Sequence, residues 1–273
     1  VWNITLIINL LFLKISQISF FYMMFLIDHS TKLKSWFNTF IYITIFITMF
    51  YAIIFINKGV FILRKYYLYK LFRILFLPAF KLLYRPKIIN KQYIPKSGAA
   101  IIAGNHKHAL DPILVDICTK RMVFTLAKKD LHDGKFGFFF RAVGTIPVDL
   151  KSTTNKNATN TAIEKLKEGS LINLSPEAKR NYTNELLLPF KYGAVSMAKK
   201  TNSVIVPYSI TGNYKLFSNN LKIVYGEPID VSKMEIEEAN KNLYNAIKKL
   251  LKENMDENEL KTKLISEYRG VVN

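Results

Sequence analysis

A single cysteine, Cys118, stands in 273 residues, so no intramolecular disulfide can form and the chain suits a reducing compartment. Histidine is scarce as well: there are four, and two of them, His106 and His108, sit two positions apart. Acidic residues are outnumbered, 20 Asp and Glu against 39 Lys and Arg, for a formal net charge of +19. The shortage is uneven. No acid lies between Asp28 and Asp111, a window holding thirteen Lys and Arg. Beyond Asp111 the two signs come much closer to balance. A strongly basic chain raises the question of nucleic acid. Here, however, half of the residues are apolar, and the basic excess adjoins the most hydrophobic part. That pairing argues against a solvated nucleic-acid arm and for a surface held at anionic lipid headgroups.

Charge is missing altogether from residues 39–56, "TFIYITIFITMFYAIIFI", close to the ~20 residues needed to cross a bilayer. A transmembrane helix is expected there. Residues 4–27 are apolar too, but Lys14, Ser16, Gln17 and Ser19 interrupt them, which makes this the weaker span. A cleaved signal peptide fits poorly, because a positive start and a small-residue cleavage site are both missing. Residues 61–86 mix aromatics with cations, among them Arg64, Lys65, Lys70 and Arg73. The four do not share one helical face. Long basic side chains can snorkel and Tyr and Phe suit the headgroup level, so an interfacial helix is expected, against the alternative of a buried core helix. The cations after Ile56 place the remainder of the chain on the cytoplasmic side of the cell membrane.

From about residue 98 the texture changes. "AAIIAG", "MVFTLA", "GTIPVD", "SLINLS", "VIVPYSI" and "LKIVYG" read as strands, separated by helical stretches near 113–120, 155–168 and 190–200. Such alternation predicts an α/β fold, a mostly parallel central sheet flanked by helices, preceded by the N-terminal transmembrane and interfacial helices. Ser232 and Glu235 have the spacing of a capping box opening a C-terminal helix.

The first of these strands ends in "GNHKHALDP", residues 104–112. Ligands gather at the carboxyl ends of strands in open α/β sheets. A histidine there with a carboxylate five positions on makes a workable general base, the carboxylate fixing the tautomer and stabilising the imidazolium. No serine or cysteine nucleophile is needed if the substrate brings its own hydroxyl. Two other readings stand beside it: a polar turn in which Asp111 caps the next helix, and a metal site. Zinc wants three or four ligands, and His29 and His132 offer no recognisable spacing. Gly104 and Asn105 read as turn residues.

Asn105 and His106, followed by four residues and Asp111, resemble the first signature of the glycerolipid acyltransferase family, the lysophosphatidic acid acyltransferases. Further blocks follow in order. "AKKDL" (127–131) resembles a Lys-x-Glu-Leu stretch that helps bind phosphate. "GTIPVD" (144–149) looks like the second block. "SPEAKR" (175–180) looks like the Pro-Glu-Gly-Thr-Arg block and is followed by "LPFKYGA" (188–194). "IVPYSI" (205–210) resembles the fourth block, and "YGEPI" its usual tail. The resemblance covers roughly residues 66–230. Departures are His108 for the usual Ser or Thr, Leu150 where the second block ends in Arg, with Lys151 adjacent, and Ala178 and Lys179 for Gly-Thr.

Three segments are expected: a membrane anchor of one or two spans (1–58) and an interfacial basic-aromatic helix (59–86), read from hydropathy and charge, and an acyltransferase domain (87–273), implied by the resemblance. It implies His106 and Asp111 as catalytic residues. Lys128, Glu177, Lys179 and Arg180 are implied as substrate-binding, Arg180 by forking onto phosphate oxygens and the two lysines by adding point charges. Acylation of the sn-2 hydroxyl of 1-acyl-glycerol-3-phosphate (lysophosphatidic acid) to phosphatidic acid is implied. Acyl-CoA or acyl carrier protein would serve as co-substrate, with no metal, no further cofactor and no nucleic acid. Backbone N–H groups near the strand end or helix start are expected to hold the oxyanion. Glycerol-3-phosphate or another lysophospholipid as acceptor, or a membrane-tethered basic binding protein without activity, remain as alternatives.

Overall fold

The computed structural model describes residues 67–149, 155–257, 259–261 and 263. The spans expected at 39–56 and 4–27 lie outside the described residues, as do Arg64, Lys65, Leu150 and Lys151. No helix among the described residues is long and apolar enough to cross a membrane.

Helix α1 (Tyr67–Tyr84) is followed by β1 (Lys87–Ile89), β2 (Ala100–Gly104), α2 (Asp111–Asp116) and β3 (Val123–Lys128). Two short helices come next, α3 (Lys129–Asp133) and α4 (Gly137–Ala142), then β4 (Ile146–Val148), α5 (Lys156–Lys167) and β5 (Leu171–Leu174). Helix α6 (Gly193–Thr201), β6 (Val204–Thr211), β7 (Lys222–Tyr225) and α7 (Ile236–Asn254) complete the order. The seven strands form one sheet in the order β1-β7-β6-β2-β5-β3-β4. Neighbours run parallel except β6 and β7, which are antiparallel. All six strands read from the sequence are present. β1 was not read, because three residues with a half-exposed pattern carry little apolar signal.

β2 lies at the centre, and all five of its residues are buried, as expected of a strand covered on both faces. Ala100 and Ile102 join the core on one side with Leu114 and Val115 of α2 and Leu77 and Phe80 of α1. Ile101 and Ala103 join the core on the other side, with Ala162 and Leu166 of α5 and Ala194 and Ala198 of α6. Helix α7 adds Ala239, Leu243, Ile247 and Leu251 to that second core, one residue per turn on a single stripe. Each of its three large residues contributes roughly 1.5–3 kcal/mol on burial. The helices after β2 and β5 thus leave on opposite faces of the sheet. Adjacent strands whose connections diverge open a crevice at their carboxyl ends.

The capping-box expectation is corrected, and so is the placing of Arg73 among snorkelling cations. The C-terminal helix begins at Ile236 with Glu235 in extended backbone as its N-cap and no side-chain cap. Ser232 instead donates its backbone N–H to Asp230 Oδ1 at 2.9 Å, so the local Asp turn takes the residue the capping box needed. In α1, Leu71, Ile74, Leu75, Phe76 and Leu82 are exposed while Tyr69, Leu77 and Phe80 are buried. The helix is therefore partly core, and Arg73 points inward. Its guanidinium donates to the Tyr69 hydroxyl at 2.7 Å and to the Thr119 carbonyl, and it lies 3.7 Å from Asp116. The cause is Asp116, a buried carboxylate at the end of α2 that requires a countercharge. Burial nevertheless pushes the Asp116 carboxyl up to about 7, against the Tyr69 hydrogen bond and the Arg73 charge.

Candidate active site

The crevice is built from the residues that end β2. Gly104 is fixed by a close crossing rather than a turn: a Cβ there would lie 2.3 Å from the Tyr208 ring of the neighbouring strand. Asn105 is likewise no turn residue. Its amide donates to the Ile210 carbonyl at 3.0 Å and accepts from the Ile210 N–H at 2.7 Å. The side chain thus extends the β2–β6 pairing one rung past the last backbone partner, Gly104 with Tyr208, and aims the chain at His106.

His106 Nδ1 lies 2.8 Å from Asp111 Oδ2. An ionised carboxylate only accepts, so Nδ1 carries the proton and Nε2 keeps its lone pair. The imidazole is part exposed, at 29% of its side-chain surface, and Asp111 is 4% exposed. Asp111 Oδ2 also accepts from the backbone N–H groups of Lys107 and His108, both at 2.8 Å. Its Oδ1 accepts from the Tyr214 hydroxyl at 2.7 Å. Four donors therefore compensate the buried negative charge.

The expected oxyanion donors are otherwise engaged. The N–H groups of Lys107 and His108 bind Asp111, that of His106 donates to Glu177 Oε1 at 2.9 Å, and that of Leu110 to His108 Nδ1 at 3.2 Å. Pro112, in the first turn of α2, has no N–H to give. Four of the loop's amides are thus engaged, two of them in holding Asp111.

Across the crevice, the segment after β5 supplies the other candidates. Glu177 is 3% exposed. Its second oxygen accepts from the Leu188 N–H at 2.9 Å, so both oxygens are occupied by backbone amides and the side chain fastens one block of the sequence to another. Burial pushes the Glu177 carboxyl above its ordinary value, opposed by the amide bonds from Leu188 and His106. Ala178 takes a left-handed conformation, φ 59°, so a residue with a Cβ holds a backbone shape that favours glycine, the residue of the block it resembles. The Asn181 N–H donates to the His106 carbonyl at 3.2 Å, which sets exposed Lys179 and Arg180 beside the histidine loop. Lys128 ends β3, two strands from β2 and so roughly 10 Å across the sheet. Its ammonium pairs with Asp130. The structure thus brings His106, Asp111, Glu177 and the Lys179–Arg180 turn together and leaves Lys128 further along the same edge.

His108, one of the alternatives for a metal, stacks on Tyr214 at 4.5 Å between ring centroids. Tyr214 itself was missed. It lies 103 positions from Asp111, and no local pattern marks a loop tyrosine as a partner of a carboxylate that far away.

Known proteins resemble this chain in sequence and in fold. The family described as Acyltransferase matches residues 85–211. The 1-acyl-sn-glycerol-3-phosphate acyltransferase of Borreliella burgdorferi is 30% identical over 136 residues, which is 49% of this chain and 54% of that protein. The enzyme of the same name from Helicobacter pylori is 29% identical over 45% of this chain and 53% of its own length. That from Saccharomyces cerevisiae is 30% identical over 48% and 45%. The chain thus spans about half the length of the curated relatives it matches. The crystal structure of the 1-acyl-sn-glycerophosphate (LPA) acyltransferase PlsC from Thermotoga maritima shares the fold, with a TM-score of 0.58 and 23% identity over 80% of this chain and 92% of that one. The ordered blocks, the histidine and aspartate at the carboxyl edge of a mostly parallel sheet, and these likenesses converge on residues 85–211, the part of the chain that is similar to the family described as Acyltransferase.

Proposed function

We propose that the chain transfers an acyl group from an acyl thioester to the sn-2 hydroxyl of 1-acyl-glycerol-3-phosphate, giving phosphatidic acid. The observation that carries this reading is His106 Nδ1 on Asp111 Oδ2 at 2.8 Å, which leaves Nε2 as a base at the mouth of the crevice. Nε2 takes the proton of the acceptor hydroxyl as its oxygen attacks the thioester carbonyl. Asp111 stabilises the imidazolium that forms. The tetrahedral intermediate then breaks its C–S bond, and the leaving thiolate of coenzyme A or acyl carrier protein takes the proton back from Nε2. Atoms and charge balance without a covalent enzyme intermediate, a metal or a redox cofactor.

Arg180 and Lys179 suit the acceptor's phosphate, and Lys128 adds a charge further along the edge. The exposed apolar residues of α1, Leu71, Ile74, Leu75, Phe76 and Leu82, suit an anionic membrane surface on the cytoplasmic side, where a lipid acceptor presents its headgroup. Glycerol-3-phosphate and other lysophospholipids carry the same chemistry and are the competing acceptors.

Purified protein incubated with labelled acyl thioesters and a panel of acceptors tests the reading. His106→Ala should abolish transfer without unfolding the domain, and Asp111→Asn should remove most of it. Arg180→Ala should weaken lysophosphatidate use by roughly ten- to a hundredfold, the cost of one charge-assisted bond. Arg180→Lys should restore only part, since a point charge cannot fork. Transfer that survives in His106→Ala refutes the mechanism. A donor defect in place of an acceptor defect refutes the role of Arg180. No transfer to any acceptor leaves a membrane-tethered binding protein.

A further inference from the structure

The structure assigns a positioning role in the dyad to Tyr214, a residue just beyond the segment that matches the family. It holds the free oxygen of Asp111 and so sets how tightly His106 keeps its proton. The inference rests on the acid–base reading of His106 and Asp111 given above.

Tyr214 follows β6 and reaches back over the histidine loop. Its hydroxyl donates to Asp111 Oδ1 at 2.7 Å. Its ring stacks on His108 with 23° between planes and meets Phe80 and Tyr84 of α1 edge-on at 6.5 Å and 5.9 Å. Three aromatic neighbours therefore fix the ring, and through it the hydroxyl. Burial and then the charge of Asp111 push the phenol far above its ordinary value, so it stays a donor throughout the working range.

Asp111 does not need this bond for its orientation. Its Oδ2 is already held by three donors, His106 Nδ1 and the N–H groups of Lys107 and His108. What the hydroxyl alone controls is the distribution of charge within the carboxylate. A strong donor on Oδ1 draws negative charge away from Oδ2, and the imidazolium across from Oδ2 is stabilised less. With Oδ1 bare, the full charge faces His106, and the base is held protonated to a higher pH. The other titratable or charged groups around the pair are Glu177, whose charge His106 feels, buried Tyr208 beneath it, the His108 ring, Lys107 tied to Glu259, and Lys263 near Glu177. Exposed Lys179 and Arg180 beside the loop complete the set, and among the described residues the hydrogen bond seen on Oδ1 comes from Tyr214.

Tyr214→Phe removes the hydroxyl and keeps the ring and its stacking. Its melting temperature should fall by about 2–12 °C, the cost of one bond lost from a buried carboxylate, and its binding to anionic vesicles should match the parent's. The acid limb of the kcat/KM–pH profile should move up by about half to one pH unit, the size expected for losing one charge-assisted bond on the far oxygen. On the alkaline plateau the rate should return to within about threefold of the parent's, since the base is then unprotonated in both proteins. A purely structural role would lower the rate equally at every pH. An acid limb that superimposes on the parent's overturns the inference, whatever the rate. The ring-proton titration of His106 by NMR, identified by its loss in His106→Gln, should show the same upward shift without turnover. A shifted titration in a protein that acylates no acceptor sustains the role of Tyr214 and removes the proposed reaction. An inactive His106→Ala beside an unshifted Tyr214→Phe does the reverse.

Discussion

Glu177→Gln changes one atom in a carboxylate that is 3% exposed, and the geometry around it sets the cost. The two oxygens accept from the N–H groups of His106 and Leu188, each at 2.9 Å. A glutamine keeps one oxygen, so its NH2 faces one of two backbone donors whichever way the amide is turned. One charge-assisted bond is lost, two donors are left facing each other in the interior, and the surviving bond weakens to a neutral one. Each loss of this kind costs about 1–3 kcal/mol. Part is returned, because burial already penalises the charged carboxylate, leaving a net loss of roughly 2–4 kcal/mol. The compact unit runs from Lys65 to Asn273, and in domains of that class about 2–4 °C of melting temperature accompany each kcal/mol. Thermal unfolding should therefore fall by roughly 4–16 °C. Because either lost bond loosens the clamp between the His106 backbone and the Leu188 segment, kcat should drop for every acceptor while the acceptor KM changes little. An unchanged melting temperature with a raised acceptor KM would refute this reasoning and return Glu177 to the acceptor contact that its place in the family block suggests.

The left-handed Ala178 costs about 1–2 kcal/mol relative to glycine, while a glycine loosens the unfolded chain by about 0.4–1 kcal/mol. Ala178→Gly should thus stabilise the protein by roughly 0.5–1 kcal/mol, read as a melting temperature raised by about 1–4 °C; a lowered one contradicts the strain. Asp116, pushed up to about 7 from an ordinary 3.8, holds a proton in the folded state that the unfolded chain has released. Its contribution is fully present below about pH 4 and is lost as pH rises toward 7, by at most ~4 kcal/mol. Urea unfolding from pH 4 to 8 should show this fall in the parent and a flatter profile in Asp116→Asn; parallel profiles would mean the group is not buried as described.

The readable parts of the fold were those fixed by local pattern. β2 and β6 are runs of apolar residues because both faces of the sheet are covered, and no partner need be known to see that. His106 and Asp111 were legible because a strand end, a turn and a helix start bring two residues five apart into contact. Arg73 was misread for the opposite reason. Its countercharge, Asp116, is 43 positions away, and within α1 alone it is one more cation among aromatics. Distance likewise hides the amide partners of Glu177, 71 positions before and 11 after it, and the carboxylate partner of Tyr214. α3 and α4, at five and six residues, are too short to show a helical period.

The central place of β2 has a consequence for the growing chain. Ala100 pairs with Leu171 on one side and with Val204 on the other, so its two neighbours are made 71 and 104 residues later. At about 5–20 residues per second, this apolar strand waits roughly 4–14 s for its first partner and 5–20 s for its second. During that interval α2 can cover one face of "AIIAG", but neither edge of the strand is paired. Tyr214 leaves the tunnel after both partners. The His106–Asp111 pair therefore gains its last ligand only after both neighbours of β2 have been made.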